Sequence, residues 1–235
     1  MALTLVIGNK NYSSWSFRPW LAMKVAGIAF DETVIPLYEA GSKERILQHS
    51  PAGKVPVLID GDVHVWESLA IMDYLAESVP QAGLWPADRT ARAHARAISA
   101  EMHAGFAPLR RHCPMNMWRK VNARAVPAEV ADNVRRIEAM WTDCRGRFGR
   151  SGAFLFGGFG AADAMYAPVV SRLHTYGIEV GPVARGYMQA VMALPAWTEW
   201  RAAALQETWV LPDDEVDWPA VPREEATSQP RAGNL

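Results

Sequence analysis

The stretch from Leu3 to Gly27, LTLVIGNKNYSSWSFRPWLAMKVAG, decides the fold. Leu3 to Ile7 is a short apolar run carrying β-branched residues and reads as a strand. The polar stretch Gly8 to Ser16 follows as a loop, and from Phe17 to Val25 apolar residues recur at helical spacing before Gly27 stops the helix. Working outward, Thr33 to Leu37 reads as a second strand and Lys43 to His49 as a short helix or turn. Val55 to Asp60 reads as a third strand, Asp60-Gly61 as a hairpin turn and Val63 to Trp66 as a fourth strand. A helix from Ser68 to Ser78 completes the unit.

The order β-α-β-α-β-β-α predicts one mixed sheet with helices on its faces, because its first half is a βαβ unit and its end is a hairpin. This is the thioredoxin-like topology, expected over residues 1–81. Gly83 to Asp88, with Pro80 and Pro86 nearby, breaks the periodicity and places a linker at 82–89. Five helices without intervening strands follow: Thr90 to Leu109, Ala128 to Phe148, Ala161 to Tyr176, Val183 to Leu194 and Ala196 to Ala204. They predict a bundle over 90–211. The expected class is therefore α+β, a thioredoxin-like N-terminal domain followed by an all-α helical bundle domain. Residues 212–235 are rich in Pro, Asp and Glu and lack an apolar face, so they are expected to wrap the surface or stay disordered, with Trp209 and Trp218 anchoring the start.

The chain has 235 residues, a length that suits two small domains sharing an interface. Half of the residues are hydrophobic and 21% are charged, which excludes wholesale disorder. A net charge of -1 gives no bulk attraction to nucleic acid or to an anionic membrane. Met1 to Gly8 is too short for a signal sequence and no later run is long and apolar enough for a membrane span, so a cytoplasmic location is expected. Cys113 and Cys144 are far apart and outside any CxxC pair, which predicts buried free thiols. The six histidines show no metal-ligand spacing, and no metal is expected.

Three segments carry a family resemblance: Tyr12-Ser13-Ser14-Trp15-Ser16-Phe17-Arg18, Pro51-Ala52-Gly53-Lys54-Val55-Pro56-Val57-Leu58 and Glu67-Ser68-Leu69-Ala70-Ile71. With the helical second half and the Gly160-Ala161-Ala162-Asp163 turn, they resemble the glutathione transferase family over nearly the whole chain. Within it the sequence looks most like the serine-type bacterial enzymes and the zeta class. Trp15 stands where the zeta loop carries cysteine, which argues against zeta-type isomerase chemistry.

The loop after the first strand opens the first helix, whose unpaired N–H groups and positive dipole end favour an anion. A thiol with pKa near 8.5 is a few per cent ionised at neutral pH; lowering it by about two pH units, roughly 2.7 kcal/mol, makes the thiolate dominant. The resemblance implies that a serine hydroxyl donates to the glutathione sulfur, five residues before the helix arginine. From Arg18 that is Ser13, with Ser14 next in line and Tyr12 as the tyrosine-type alternative. Read alone, Ser13, Ser14 and Ser16 are ordinary helix caps. The resemblance further implies a cis Val55–Pro56 bond that leaves the Val55 backbone free to pair with the cysteinyl unit, and Lys54 at the glycyl carboxylate. Ser68 and the adjacent N–H groups suit the γ-glutamyl carboxylate and Glu67 the neighbouring ammonium, although a plain helix start explains both equally well. Asp163 is read as a structural cap. Tyr12, Met102, Phe106 and Arg110 are candidates for the electrophile pocket, where a cation at 110 would favour an acidic electrophile.

The expected function is transfer of the glutathione thiolate to a small electrophile, by a homodimer that needs no cofactor beyond glutathione as co-substrate. The alternatives are a glutathione-dependent maleyl-type isomerase and a non-catalytic, transferase-like binding or regulatory protein.

Overall fold

The computed structural model describes residues 2–225. Residues 226–235 of the expected tail lie outside the described residues. The first half runs β1 (Leu3–Ile7), α1 (Ser14–Val25), β2 (Phe30–Val34), α2 (Ser42–Leu47), β3 (Val57–Asp60), β4 (Val63–Trp66) and α3 (Ser68–Ser78). The strands form one sheet in the order β2-β1-β3-β4. β1 is parallel to β2 and antiparallel to β3, and β3 and β4 form the hairpin, so this is the mixed sheet that the element order requires.

Two strand boundaries differ from expectation, each for a local reason. β2 lies at Phe30–Val34 rather than Thr33 to Leu37, in register with β1 from Leu3↔Phe30 to Ile7↔Val34. It is an edge strand whose Asp31 and Glu32 are exposed, so its apolar signal is diluted by charges that edges tolerate. The ladder reaches the Ile35 N–H, which bonds the Ile7 carbonyl at 2.9 Å, and ends at Pro36, which has no N–H. β3 begins at Val57 because Pro56 likewise has no donor; the Val55–Pro56 bond is cis.

The second half holds α4 (Arg89–Ala104), α5 (Ala107–His112), α6 (Ala128–Arg147), α7 (Ala161–Thr175), α8 (Pro182–Met192) and α9 (Pro195–Ala204). The single helix expected from Thr90 to Leu109 is thus two. Phe106 takes a left-handed φ of 59°, and a Cβ on Gly105 would stand 2.7 Å from the Glu101 carbonyl, so only glycine fits there. The Arg110 guanidinium then donates to the His103 and Gly105 carbonyls at the end of α4. α7 is the central helix: from Ala161 to Leu173 every residue is buried. One continuous core joins both halves, with Phe17 and Trp20 of α1 packed against Trp197 and Trp200 of α9 at ring distances of 4.9–5.4 Å. Cys113 and Cys144 are free and buried, and burial pushes both thiols up, Cys144 to about 12.

The described part of the C-terminal segment wraps back over the molecule. Of the two tryptophans expected to anchor it, Trp218 is exposed and Trp209 half-buried; Leu211 and Val221 are buried, and Arg119 forms a bidentate pair with Asp217 at 2.7–3.1 Å. Among the described residues no helix is long and apolar enough to cross a membrane.

Candidate functional site

The loop between β1 and α1 is fixed from the helical half. The Glu207 carboxylate accepts the N–H groups of Lys10 (2.6 Å) and Asn11 (2.9 Å), and Trp200 Nε1 donates to the Lys10 carbonyl at 2.9 Å. The loop is thereby set against a cleft of about 810 Å³. Tyr12, Ser13, Ser14, Trp15, Lys54, Val55, Pro56 and Glu67 meet in its wall. Segments distant in sequence converge there, among them the start of α1, α2, the turn before β3, the residue before α3, the end of α4 and the stretch after α9.

The serines are not helix caps. Ser13 is the N-cap residue of α1, yet no side chain caps that helix. Its hydroxyl donates to Ser16 Oγ at 2.8 Å, and Ser16 Oγ also accepts the Gly8 N–H at 3.1 Å. Ser14 Oγ accepts from Arg172 Nη2 at 3.1 Å. Tyr12 lines the cleft, but its hydroxyl donates to Glu215 Oε1 at 2.6 Å, and burial together with that carboxylate pushes the phenol up. A phenol already committed to a carboxylate is a poor donor to a second anion.

Beneath the cleft lies a cationic floor, on which Glu67 and Asp214 act through space but to which, among the described residues, no carboxylate is hydrogen-bonded. Arg18 is 1% exposed; its guanidinium lies 4.1 Å from the Trp15 ring and its Nη1 donates to Ser68 Oγ at 3.4 Å. Burial, then Arg110 and Arg172, bring Arg18 down to about 9, and burial brings Arg172 down to about 10. Glu67 adopts a left-handed φ of 69° and faces His103 at 3.5 Å. Burial and Arg18 lower His103, keeping the imidazole neutral near pH 7.

Several expected residues are placed elsewhere. Ser68 is fully buried and turns its hydroxyl inward to Met165 Sδ at 3.9 Å, so its side chain does not face the cleft. Met102 and Phe106 belong to the core. Arg110 stands behind the wall, its guanidinium 5.4 Å from the Trp15 ring while it holds the end of α4. Sequence reasoning missed His103, Trp66, Lys43, Leu211 and Asp214, all of which line the cleft, and it did not assign Trp15 to the wall. Burial pushes the Asp214 carboxyl up to about 6. The Ser-Ser-Trp run marked Trp15; nothing local marked Asp214, which arrives from the far end of the chain.

Two family models match, the glutathione S-transferase N-terminal domain over residues 12–78 and the glutathione S-transferase C-terminal domain over residues 127–203, together more than half of the chain. The chain belongs to the glutathione transferase family. Among curated relatives, the chain is 39% identical over 98 residues to a probable maleylacetoacetate isomerase of Caenorhabditis elegans, a match spanning 41% of this chain and 45% of the worm protein. It is 25% identical over 205 residues to glutathione S-transferase Z2 of Arabidopsis thaliana, spanning 80% of this chain and 88% of that one. Its fold is similar to that of a Burkholderia glutathione transferase homologue solved with bound glutathione, with a TM-score of 0.66 at 23% identity, covering 88% of this chain and 100% of that chain.

Proposed function

We propose that this glutathione transferase binds glutathione in the cleft at the start of α1 and transfers its thiolate to a small electrophile. The observation that carries the reading is the pair of buried guanidinium groups, Arg18 and Arg172, set beneath serines at a helix N-terminus without a carboxylate hydrogen-bonded to either among the described residues. A thiolate at that point supplies the missing negative charge, while N–H groups at the helix start and a serine hydroxyl donate to it. Lys54, the Val55 backbone and Glu67 stand where a peptide with charges at both ends would be held. In the reaction the thiol proton leaves to solvent and a sulfur lone pair forms the new bond to the electrophilic carbon. In a substitution the bond to the leaving group breaks and that group departs with its electron pair; in an addition the π pair shifts to the neighbouring atom, which takes a proton from solvent. In this reading the enzyme is a cytoplasmic homodimer, and glutathione is consumed as co-substrate with no further cofactor.

A second reading is favoured by the same cationic floor. Arg18 and Arg110 both lie against Trp15, which lines the cleft, and a positive floor there suits an acidic electrophile. In a maleyl-type diacid the thiolate would add, allow rotation about the former double bond and leave again, which is isomerisation without net consumption of glutathione.

The test is titration of the bound thiol, followed by thiolate absorbance across pH about 5–10, with a panel of neutral and dianionic electrophiles. A thiol pKa well below 8.5 is the expected result. Recovery of glutathione after turnover of a maleyl-type diacid selects the isomerase. No binding, or binding with an unshifted thiol, overturns both enzyme readings in favour of a non-catalytic binding protein.

A further inference from the structure

Arg172 belongs to α7, yet its guanidinium reaches the start of α1. Its hydrogen-bond partners among the described residues are the Cys113 carbonyl, the Arg110 carbonyl at 3.4 Å and Ser14 Oγ at 3.1 Å, none of them charged. Nη1 donates to the two carbonyls, and among the described residues Nη2 donates to Ser14 alone. Asp214 acts on Arg172 through space without a hydrogen bond between them, and a buried guanidinium that lacks a hydrogen-bonded anion is favoured further when an anion arrives with the ligand.

The two serines are consequently not equivalent. Ser13 already shares a hydrogen bond with Ser16 and must surrender or reverse it to meet a sulfur. Ser14 Oγ has only accepted a bond, and its own proton has no acceptor among the described residues. A cation donating to a hydroxyl oxygen draws electron density from it and strengthens the O–H as a donor. The same positive charge lies one hydroxyl away from the sulfur and favours the ionised form through space.

We propose that Ser14 is the hydroxyl that holds the glutathione thiolate and that Arg172 is its positioning residue, orienting the Ser14 proton toward the sulfur and charging that hydrogen bond. No bond forms to Arg172. The thiol proton is lost to solvent, and the sulfur anion accepts the O–H of Ser14. The inference rests on the glutathione-binding reading of the cleft, and it links thiol activation in the first half of the chain to a helix of the second.

The experiment is the same thiol titration on the full chain in wild type, Ser13→Ala, Ser14→Ala, Arg172→Lys, Arg172→Met and the Ser14→Ala/Arg172→Met double variant, with melting curves and the pH profile of kcat/KM. Ser14→Ala and Arg172→Met are each expected to raise the bound thiol pKa by about one pH unit or more and to move the acid limb of the profile with it. The double variant is expected to add little to the larger single effect, because both act through one hydroxyl. Arg172→Lys should recover part of the shift, and Ser13→Ala should keep most of it. A purely structural Arg172 would lower the melting temperature and leave the thiol pKa in place, which overturns the proposal. A Ser14→Ala enzyme with the wild-type thiol pKa overturns it also where the Arg172 variants fail to fold. If wild type itself binds no glutathione or leaves the thiol unshifted, the reading of the cleft falls, and the role of Arg172 with it.

Discussion

Arg18 carries a desolvation cost that the Trp15 ring and Glu67 offset only in part, since burial still brings it down to about 9. Its Nε has no hydrogen-bond partner among the described residues, Ser68 is a weak acceptor at 3.4 Å, and the positive charges nearby on Arg110 and Arg172 repel it. Removing a buried charge that lacks an anionic partner is often neutral or stabilising, whereas removing one half of a buried pair is not. Arg18→Met is therefore expected to leave the melting temperature of the unliganded protein unchanged or raised. The bound thiol pKa should rise, because part of the positive floor has gone. A clear loss of unliganded stability would show that the Trp15 stack and the Ser68 contact outweigh the desolvation of the guanidinium. The serine loop was legible from its neighbours in sequence, since the Ser-Ser-Trp run precedes an apolar helical stripe. The choice between Ser13 and Ser14 was not, because it depends on Arg172, 158 residues away. Nor could sequence show that the Tyr12 hydroxyl is occupied by Glu215, 203 residues on.

α7 depends on Asp163 for its entry. Gly160 has no side chain to contribute, so the cap is one-sided: Asp163 Oδ2 accepts the Gly160 N–H at 2.9 Å and Oδ1 the Leu155 N–H at 3.0 Å. Asp163→Ala leaves both donors without a partner and is expected to cost about 2–4 kcal/mol in chemical denaturation. Burial pushes the Asp163 carboxyl from 3.8 up to about 6. In that window the native state binds more protons than the unfolded chain, so this group's contribution to stability is present at low pH. It is lost as pH rises from about 4 to about 6, by at most about 3 kcal/mol, and stays level above. Asp163→Asn should flatten that part of the stability profile while remaining less stable than wild type, since the amide NH2 takes the place of one carboxylate oxygen and sets a donor against an N–H group. An unchanged slope between pH 4 and 6 would mean that another group titrates there. Helix starts and strong turns such as these were readable because they are local chemistry. The α4/α5 break was signalled by Gly105 and Pro108 but lay inside an otherwise unbroken helical pattern. The slip of β2 has a different cause, as an edge strand carrying Asp31 and Glu32 shows no clean alternation and only pairing with β1 fixes its register.

Across the whole molecule, the segment from Leu211 to Glu225 closes the cleft that the first half opens. Leu211 and Asp214 line it, and Glu215 takes the Tyr12 hydroxyl at 2.6 Å and Asn116 Nδ2 at 3.0 Å. The clasp is Arg119, whose side chain is 3% exposed, against Asp217 at 22%. Among the described residues, Asp217→Ala would leave the Arg119 guanidinium with the Lys120, Asn122 and Thr175 carbonyls and the Tyr176 ring, and no anion hydrogen-bonded to it. An unpaired buried charge is costly, but Asp217 keeps some solvent, so a loss of about 2–4 kcal/mol is expected, below the range of fully buried pairs. The consequence for function separates two roles. Neither Ser14 nor Arg172 bonds to the segment, so the bound thiol pKa should stay at its wild-type value. Leu211 and Asp214 form cleft wall, so the KM for the electrophile should rise several-fold, read under conditions where the variant is fully folded. If stability falls and KM does not move, the segment is a structural clasp whose wall contacts do not touch substrate. If the thiol pKa moves instead, the clasp reaches the sulfur through Asp214, whose carboxyl shares an electrostatic environment with Arg172.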